Sequence, residues 1–314
     1  MKRVLFALSA LAIGTAAASA ADLSKPYTKA PPAPPPPPCI WCGFYVGVNL
    51  GGDWANNHNV ATVATPVQGF PDGIGPGSYA FNSAVGATGI VSTGNNASFL
   101  GGAQIGYNWA FPGQSWLVGV EADIQGVGQN DKAGTLHTVV GPFPFFGAVP
   151  VINTQITSAE RLNYLGTVRG RIGFLPTQTF LLYGTGGLAY GGVKASTSII
   201  QTNNDCASTP VPGSCIAPSA AALGAFSQTR AGWTAGVGGE WMFAPNWSAK
   251  AEYLYYDLGS VTYANGLLVT GVATAGPVGT PPAVVASAST AKFTGNIVRV
   301  GVNYHFGGPG YGGY

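Results

Sequence analysis

Val298-Arg299-Val300-Gly301-Val302-Asn303-Tyr304-His305-Phe306 puts valines and aromatic rings on every even position, with arginine, glycine, asparagine and histidine between them. A strict period of two marks a β-strand lying between an apolar and a polar environment. The same alternation runs backwards through the chain. Trp247, Ala249, Ala251, Tyr253 and Tyr255 oppose Ser248, Lys250 and Glu252, and Trp233, Ala235, Val237, Trp241 and Phe243 oppose Thr234, Gly236, Gly238 and Glu240. Leu162, Tyr164, Val168, Ile172 and Phe174 oppose Arg161, Asn163, Thr167, Arg169 and Arg171. Trp116, Val118, Val120, Ala122 and Ile124 oppose Gly119, Glu121, Asp123 and Gln125. Ile105 to Phe111 and Phe44 to Leu50 repeat the pattern, and a glycine-laden stretch from Phe180 to Val193 fits it less clearly. Eight such segments are present.

Their connections alternate in length. Pro112-Gly113-Gln114-Ser115, Pro176-Thr177-Gln178-Thr179 and Pro245-Asn246 are tight turns, whereas the other joints are segments of roughly 30 to 40 residues rich in Gly, Asn, Ser, Thr and Ala. Short turns at one end and long loops at the other are the layout of an outer-membrane barrel. In lipid every backbone N–H and C=O must find a protein partner, so the strands have to close on themselves. The expected fold is therefore all-β: a closed antiparallel eight-stranded transmembrane β-barrel with short periplasmic turns and four long external loops. A soluble lipocalin-like barrel would bury the apolar face instead, and leave the arginines and carboxylates of the other face without an explanation.

Composition agrees. Only 8% of the 314 residues are charged, against roughly 25% in ordinary soluble domains. There are 48 glycines and the mean hydropathy is +0.23, yet beyond the first twenty residues no run of about 18 apolar residues suggests a helical span. With 13 basic and 11 acidic residues there is no electrostatic footprint for nucleic acid.

Residues 1–20 read as a signal peptide: Lys2 and Arg3, an apolar run from Val4 to Ile13, and Ala18-Ser19-Ala20 before the cut. Removing Lys2 and Arg3 leaves 11 basic residues against 11 acidic, a neutral mature chain. Residues 21–40 form a proline-rich periplasmic linker with the run Pro34 to Pro38, a stiff spacer. The barrel is expected over 41–306 and a Gly/Tyr-rich tail over 307–314. The chain is thus addressed to the outer membrane.

On this register the lumen receives Glu121, Asp123, Arg161, Arg169, Arg171, Arg230, Glu240, Lys250, Glu252 and Arg299. An eight-stranded barrel is only wide enough to be filled by side chains, so these charges should pair across it and block large solutes. The alternative is a narrow water path with a slight anion preference, six of the ten being basic. An aromatic girdle is expected beside the short turns: Trp109, Phe111, Trp116, Phe174, Phe180, Trp241, Phe243, Trp247, Tyr304 and Phe306.

Other chemistry is sparse. In an exported protein Cys206 with Cys215, and Cys39 with Cys42, are candidate disulfides. Gly184-Thr185-Gly186-Gly187-Leu188-Ala189, with Asp205 beyond it, matches a dinucleotide pattern, but no helix pattern follows and it reads as chance. His58 and His137, in expected external loops, are candidate haem ligands set against the plainer reading of solvated histidines, and His305 is expected near the periplasmic mouth. No catalytic constellation, cofactor or metal site is expected, so the chain reads as a non-enzyme.

Trp41-Cys42-Gly43-Phe44-Tyr45-Val46-Gly47, Leu100-Gly101-Gly102-Ala103-Gln104-Ile105-Gly106-Tyr107-Asn108 and Val118-Gly119-Val120-Glu121-Ala122-Asp123 together resemble the alphaproteobacterial outer-membrane β-barrel family. So do Leu165 to Gly173, Leu182 to Gly187 and Lys250 to Tyr255. The resemblance implies OmpA-like eight-stranded barrels described as surface immunogens or porin-like proteins, some credited with haemin binding. It implies no catalytic residues. Cys42 departs from the small polar residue usual there, and the tail after Phe306 departs from a terminal aromatic, leaving Phe306 or Tyr314 for the barrel-assembly machinery to read. Outer-membrane lipid and lipopolysaccharide are further expected partners, with peptidoglycan or host surface molecules as candidates. The function expected is structural and surface-interacting, with a narrow porin or a haemin or host-ligand receptor as alternatives.

Overall fold

The structure, a computed structural model, describes residues 39–55, 59–69, 73–76, 78–93, 97–110, 115–128, 131–140, 151–203, 219–270 and 282–306. The leader, the linker up to residue 38 and the tail lie outside the described residues, as do Phe111, His58, Asp205, Cys206 and Cys215.

Eight antiparallel strands close a ring in the order β1 (Gly43–Ala55), β4 (Ser98–Ala110), β5 (Trp116–Val127), β7 (Val151–Thr177), β8 (Phe180–Asn203), β9 (Ser219–Ala244), β10 (Trp247–Ala264) and β12 (Ala283–His305). β12 returns to β1, Tyr45 opposite His305 and Gly51 opposite Arg299, so the ring has no free edge there. The alternation decides which face is which. Val48, Ile172 and Val237 are each more than 60% exposed on the outer wall, whereas Glu240 and Arg299 are fully buried inside. At the turn end β9 and β10 are joined through Asn246, whose φ of 68° is a conformation asparagine tolerates.

The strands overrun the expected segments. β7 has 27 residues and β9 has 26, so much of what reads as loop is barrel wall. Among the described residues four further strands lie in the long connections: β2 (Asn59–Gln68), β3 (Gly89–Ser92), β6 (Asp131–Val140) and β11 (Leu268–Thr270). β6 takes over from β5 alongside β7, and β2 from β1 alongside β12, so the wall continues towards the loop end. The described residues also hold one helix, α1 (Tyr79–Ala87); its first turn is capped by Ser78, whose Oγ accepts from Phe81 N at 3.2 Å.

Two departures move side chains. Between Leu162 and Leu165 the β7–β8 register shifts, with Leu162 opposite Val193 and Leu165 opposite Gly191. One extra residue reverses the parity beyond it, so Leu162 is buried inside and Arg161 is exposed outside, contrary to the expected register. Second, the β9–β10 ladder stops at Asp257 opposite Trp233 and resumes only as a bridge between Gly224 and Asn265. Among the described residues no ladder crosses this seam. Arg230, expected in the lumen, instead reaches over it to the Ser260 carbonyl at 3.3 Å.

Candidate functional site

The lumen is filled in layers. At the turn end the chain enters the barrel as a cork. Trp41 is 2% exposed and packs with Leu117, Leu181, Tyr183 and Met242. Its indole N–H donates to Gln178 O at 2.8 Å, and its ring meets His305 edge-on at 5.5 Å. Gly43, with φ of 98°, turns the backbone from this buried position into β1, a conformation that favours glycine. A disulfide joins Cys39 to Cys42 just before the turn.

Above the cork lies the ion layer. Strand alternation aims Glu121 and Asp123 of β5, Arg169 and Arg171 of β7, Glu240 of β9, Lys250 and Glu252 of β10 and Arg299 of β12 at one another. Arg169 bridges three carboxylates: Glu121 at 2.5 Å, Asp123 at 2.8 Å and Glu252 at 2.8 Å. Arg299 joins Asp123 at 3.0 Å and Glu252 at 2.6 Å, and donates to Gln125 at 3.1 Å. Lys250 Nζ lies 3.0 Å from Glu121. Arg171 meets Glu240 at 2.9 Å and lies over the Tyr183 ring, 4.3 Å from its centroid. Tyr45 donates to Glu121 at 2.6 Å and accepts from Arg171 at 2.9 Å. Glu240 accepts further from Ser248 and Asn303, and His305 Nε2 stands 3.3 Å from it.

Eight of the ten expected lumenal charges meet here, four cations and four carboxylates, without Arg161 and Arg230. The basic excess behind the anion-preference alternative is therefore not present in this layer. Arginine suits it: a planar fork donates to several carboxylates at once, where an ammonium is a point charge.

Glycines make room for flat tyrosines on the inner wall. A Cβ on Gly106 would run into the Tyr45 ring, so only glycine lets Tyr45 reach both Glu121 and Arg171. Gly106→Val should therefore lower unfolding stability by about 1–3 kcal/mol. Urea titration in lipid vesicles measures this, and an unchanged midpoint would show that Tyr45 is not held there.

Towards the loop end comes an apolar layer containing Leu162, Leu165, Val193, Leu254, Phe293 and Ile297. Beyond it α1 packs Ala84 and Ala87 against Ile156, Ile199 and Val285. Ser83 Oγ donates to Gln201 at 2.6 Å, and Gln201 Nε2 returns a bond to Ser83 O at 2.7 Å. Nothing in the sequence reading anticipated this helix. The serine cap before a run of small residues is its only local signal.

On the outside, Trp109, Trp116, Phe174, Phe180, Trp241, Phe243, Trp247, Tyr304 and Phe306 circle the turn end, with Trp116 and Phe174 5.3 Å apart and Trp247 and Tyr304 5.1 Å apart. A second belt, missed in the sequence, holds Phe99, Tyr164, Tyr190, Trp233 and Tyr255, the last two 5.2 Å apart. Ten residues separate Phe99 from Trp109 and Tyr164 from Phe174. On tilted strands that is a band of about 25 Å, the height of an outer-membrane apolar zone. His137 lies on β6 with its ring where a Cβ on Gly89 would sit.

A closed antiparallel ring with an apolar outer wall between two aromatic belts and a charged interior is an integral outer-membrane β-barrel. The chain belongs to the outer membrane protein beta-barrel domain family, whose profile matches residues 6–306. It is 31% identical over 307 residues to the 31 kDa outer-membrane immunogenic protein of Brucella melitensis, covering 98% of this chain and all of that one. The 22 kDa outer membrane protein of Rhizobium leguminosarum bv. viciae is 29% identical over 54% of this chain and 60% of its own length. Among solved structures, the outer membrane protein OprG from Pseudomonas aeruginosa aligns at 13% identity over 84% of this chain and 97% of that one, with a TM-score of 0.34.

Proposed function

We propose that this outer-membrane protein is a non-catalytic structural barrel, closed to solutes, whose long-loop end faces outward as a surface for interaction and immune recognition. The observation that carries the closed state is Arg169, 1% exposed and bound to three carboxylates in the middle of the lumen. A fixed, neutral and dry layer of this kind offers ions no hydrated path. Export through a cleaved leader, insertion by the barrel-assembly machinery and a proline-rich linker in the periplasm belong to the same reading. Conductance in planar bilayers tests the closed state, and steady unit steps would overturn it.

Orientation has its own test. Thr138, exposed on β6 near the loop end, and Gln178, exposed in the β7–β8 turn, lie at opposite ends of the barrel. On intact cells an impermeant maleimide should label Thr138→Cys well above the parent protein and leave Gln178→Cys at background. The reverse pattern would invert the orientation.

A further inference from the structure

The bulge that removes Arg161 from the lumen puts it directly opposite Lys194 on the outer face of the neighbouring strand. On its other side Lys132 of β6 stands opposite Ala159, one diagonal step from Arg161. All three side chains are exposed, and among the described residues none makes an ion pair or a hydrogen bond. Asp131 and Glu160, the carboxylates next to them in sequence, are buried on the inner face. Like charges directly opposite on adjacent strands destabilise a sheet. Among the described residues no carboxylate pairs with the row, which leaves it open to an anion from outside the chain.

The level of the row says where from. Lys194 is four positions beyond Tyr190 of the upper belt, about 10 Å along the barrel axis, which is the headgroup zone. The cations point sideways from the wall, towards neighbouring lipid rather than towards bulk solvent above the mouth. Arg161 and Lys194 border a hollow of ≈ 340 Å³ that also takes in the hydroxyl-bearing Ser196 and Ser227, with Glu160, a buried residue, lining it too. Guanidinium, ammonium and hydroxyl groups around a shallow hollow are donors for a phosphate.

We propose that Lys132, Arg161 and Lys194 form a site for the phosphate of an outer-leaflet glycolipid, held against the barrel wall just above the upper aromatic belt. The bulge in β7 builds the site by turning Arg161 outward. The glycolipid source rests on the orientation proposed above, whereas binding in detergent does not depend on it, so the two can fail separately.

The test is binding of bis-phosphorylated lipid A to the refolded protein in detergent, comparing the parent with Arg161→Ser/Lys194→Ser and with Lys292→Ser. Lys292 is an exposed base on β12, away from the row. Heat-modifiable gel mobility establishes that each variant is folded. The double variant should bind about 30-fold more weakly, from two cations at the headgroup level. Lys292→Ser should bind like the parent, and dephosphorylated lipid A should bind no better than the double variant does. Parent-like binding by the double variant, or equal binding of dephosphorylated lipid A, would overturn the site. Full displacement by millimolar inorganic phosphate would make it a small-anion site, and tighter binding of a sulfated polysaccharide through the same residues would make the ligand a polymer; either result overturns the glycolipid.

Discussion

Arg169→Ala is expected to destabilise the barrel by about 3–5 kcal/mol, the cost of breaking a buried ion cluster from one side. The side chain is buried, and its removal strands three carboxylates at once: Glu121, Asp123 and Glu252. Lys250 and Arg299 remain, but both already serve the same carboxylates; with the Arg171–Glu240 pair included, four negative charges would face three cations in a buried layer. Relaxation cannot carry the carboxylates to solvent, because they sit on rigid strands between the Trp41 cork and the apolar layer. Arg161→Ala, eight residues earlier on the same strand, should change stability by less than about 0.5 kcal/mol, because that guanidinium is exposed and outside the cluster. Urea unfolding in phospholipid vesicles, followed by tryptophan fluorescence, measures both variants. Equal losses would mean that the bulge does not re-aim Arg161. A negligible loss for Arg169→Ala would mean that the lumen is wet enough to screen its charges.

The contrast between these two arginines also locates what the sequence could and could not disclose. Below Leu165 the outer face carries Val168, Ile172 and Phe174, so period two is visible as hydrophobicity, and the lumenal positions of Glu121, Arg169, Glu240 and Arg299 follow by parity. Beyond the upper belt the outer face of β8 turns to Ser196 and Ser198 while the inner face holds Ala195 and Thr197. The strand continues, but apolar and polar positions no longer differ, and the segment reads as loop. Parity reading also fails at a bulge. Asn163 and Tyr164 together oppose one residue of β8, and no local residue type announces it, so Arg161 carries over to the wrong face. Arg230 fails for another reason: its strand keeps its register with β8, but β10 has moved away, leaving a seam for the arginine to bridge. The second aromatic belt was within reach. Tyr164, Tyr190 and Trp233 lie on the outer face some eight to ten residues from the first belt, and the required membrane height predicts them there.

No unit conductance is expected from refolded residues 21–314 in planar bilayers, and none from Arg169→Ala or Trp41→Ala. Any path through the lumen must cross the cork, the ion layer, the apolar layer and α1 in series, and closure of the whole needs only one of them intact. Arg169→Ala thins the ion layer but leaves Leu162, Leu254, Phe293 and Ile297 packed above it and Trp41 below. Trp41→Ala opens the turn end only as far as Arg171, which lies over Tyr183 and is bonded to Glu240. A narrow porin would behave differently, because its conductance is set by charges at a single constriction, and either substitution there would change the step size. Heat-modifiable mobility must first establish that each sample is folded, since an unfolded chain is silent for another reason. Steps in the parent protein would mean that the layers fluctuate apart on the timescale of ion passage. Steps appearing only in Arg169→Ala would make the ion layer the sole barrier and the apolar layer permeable, and the serial closure argued from these four layers would be wrong.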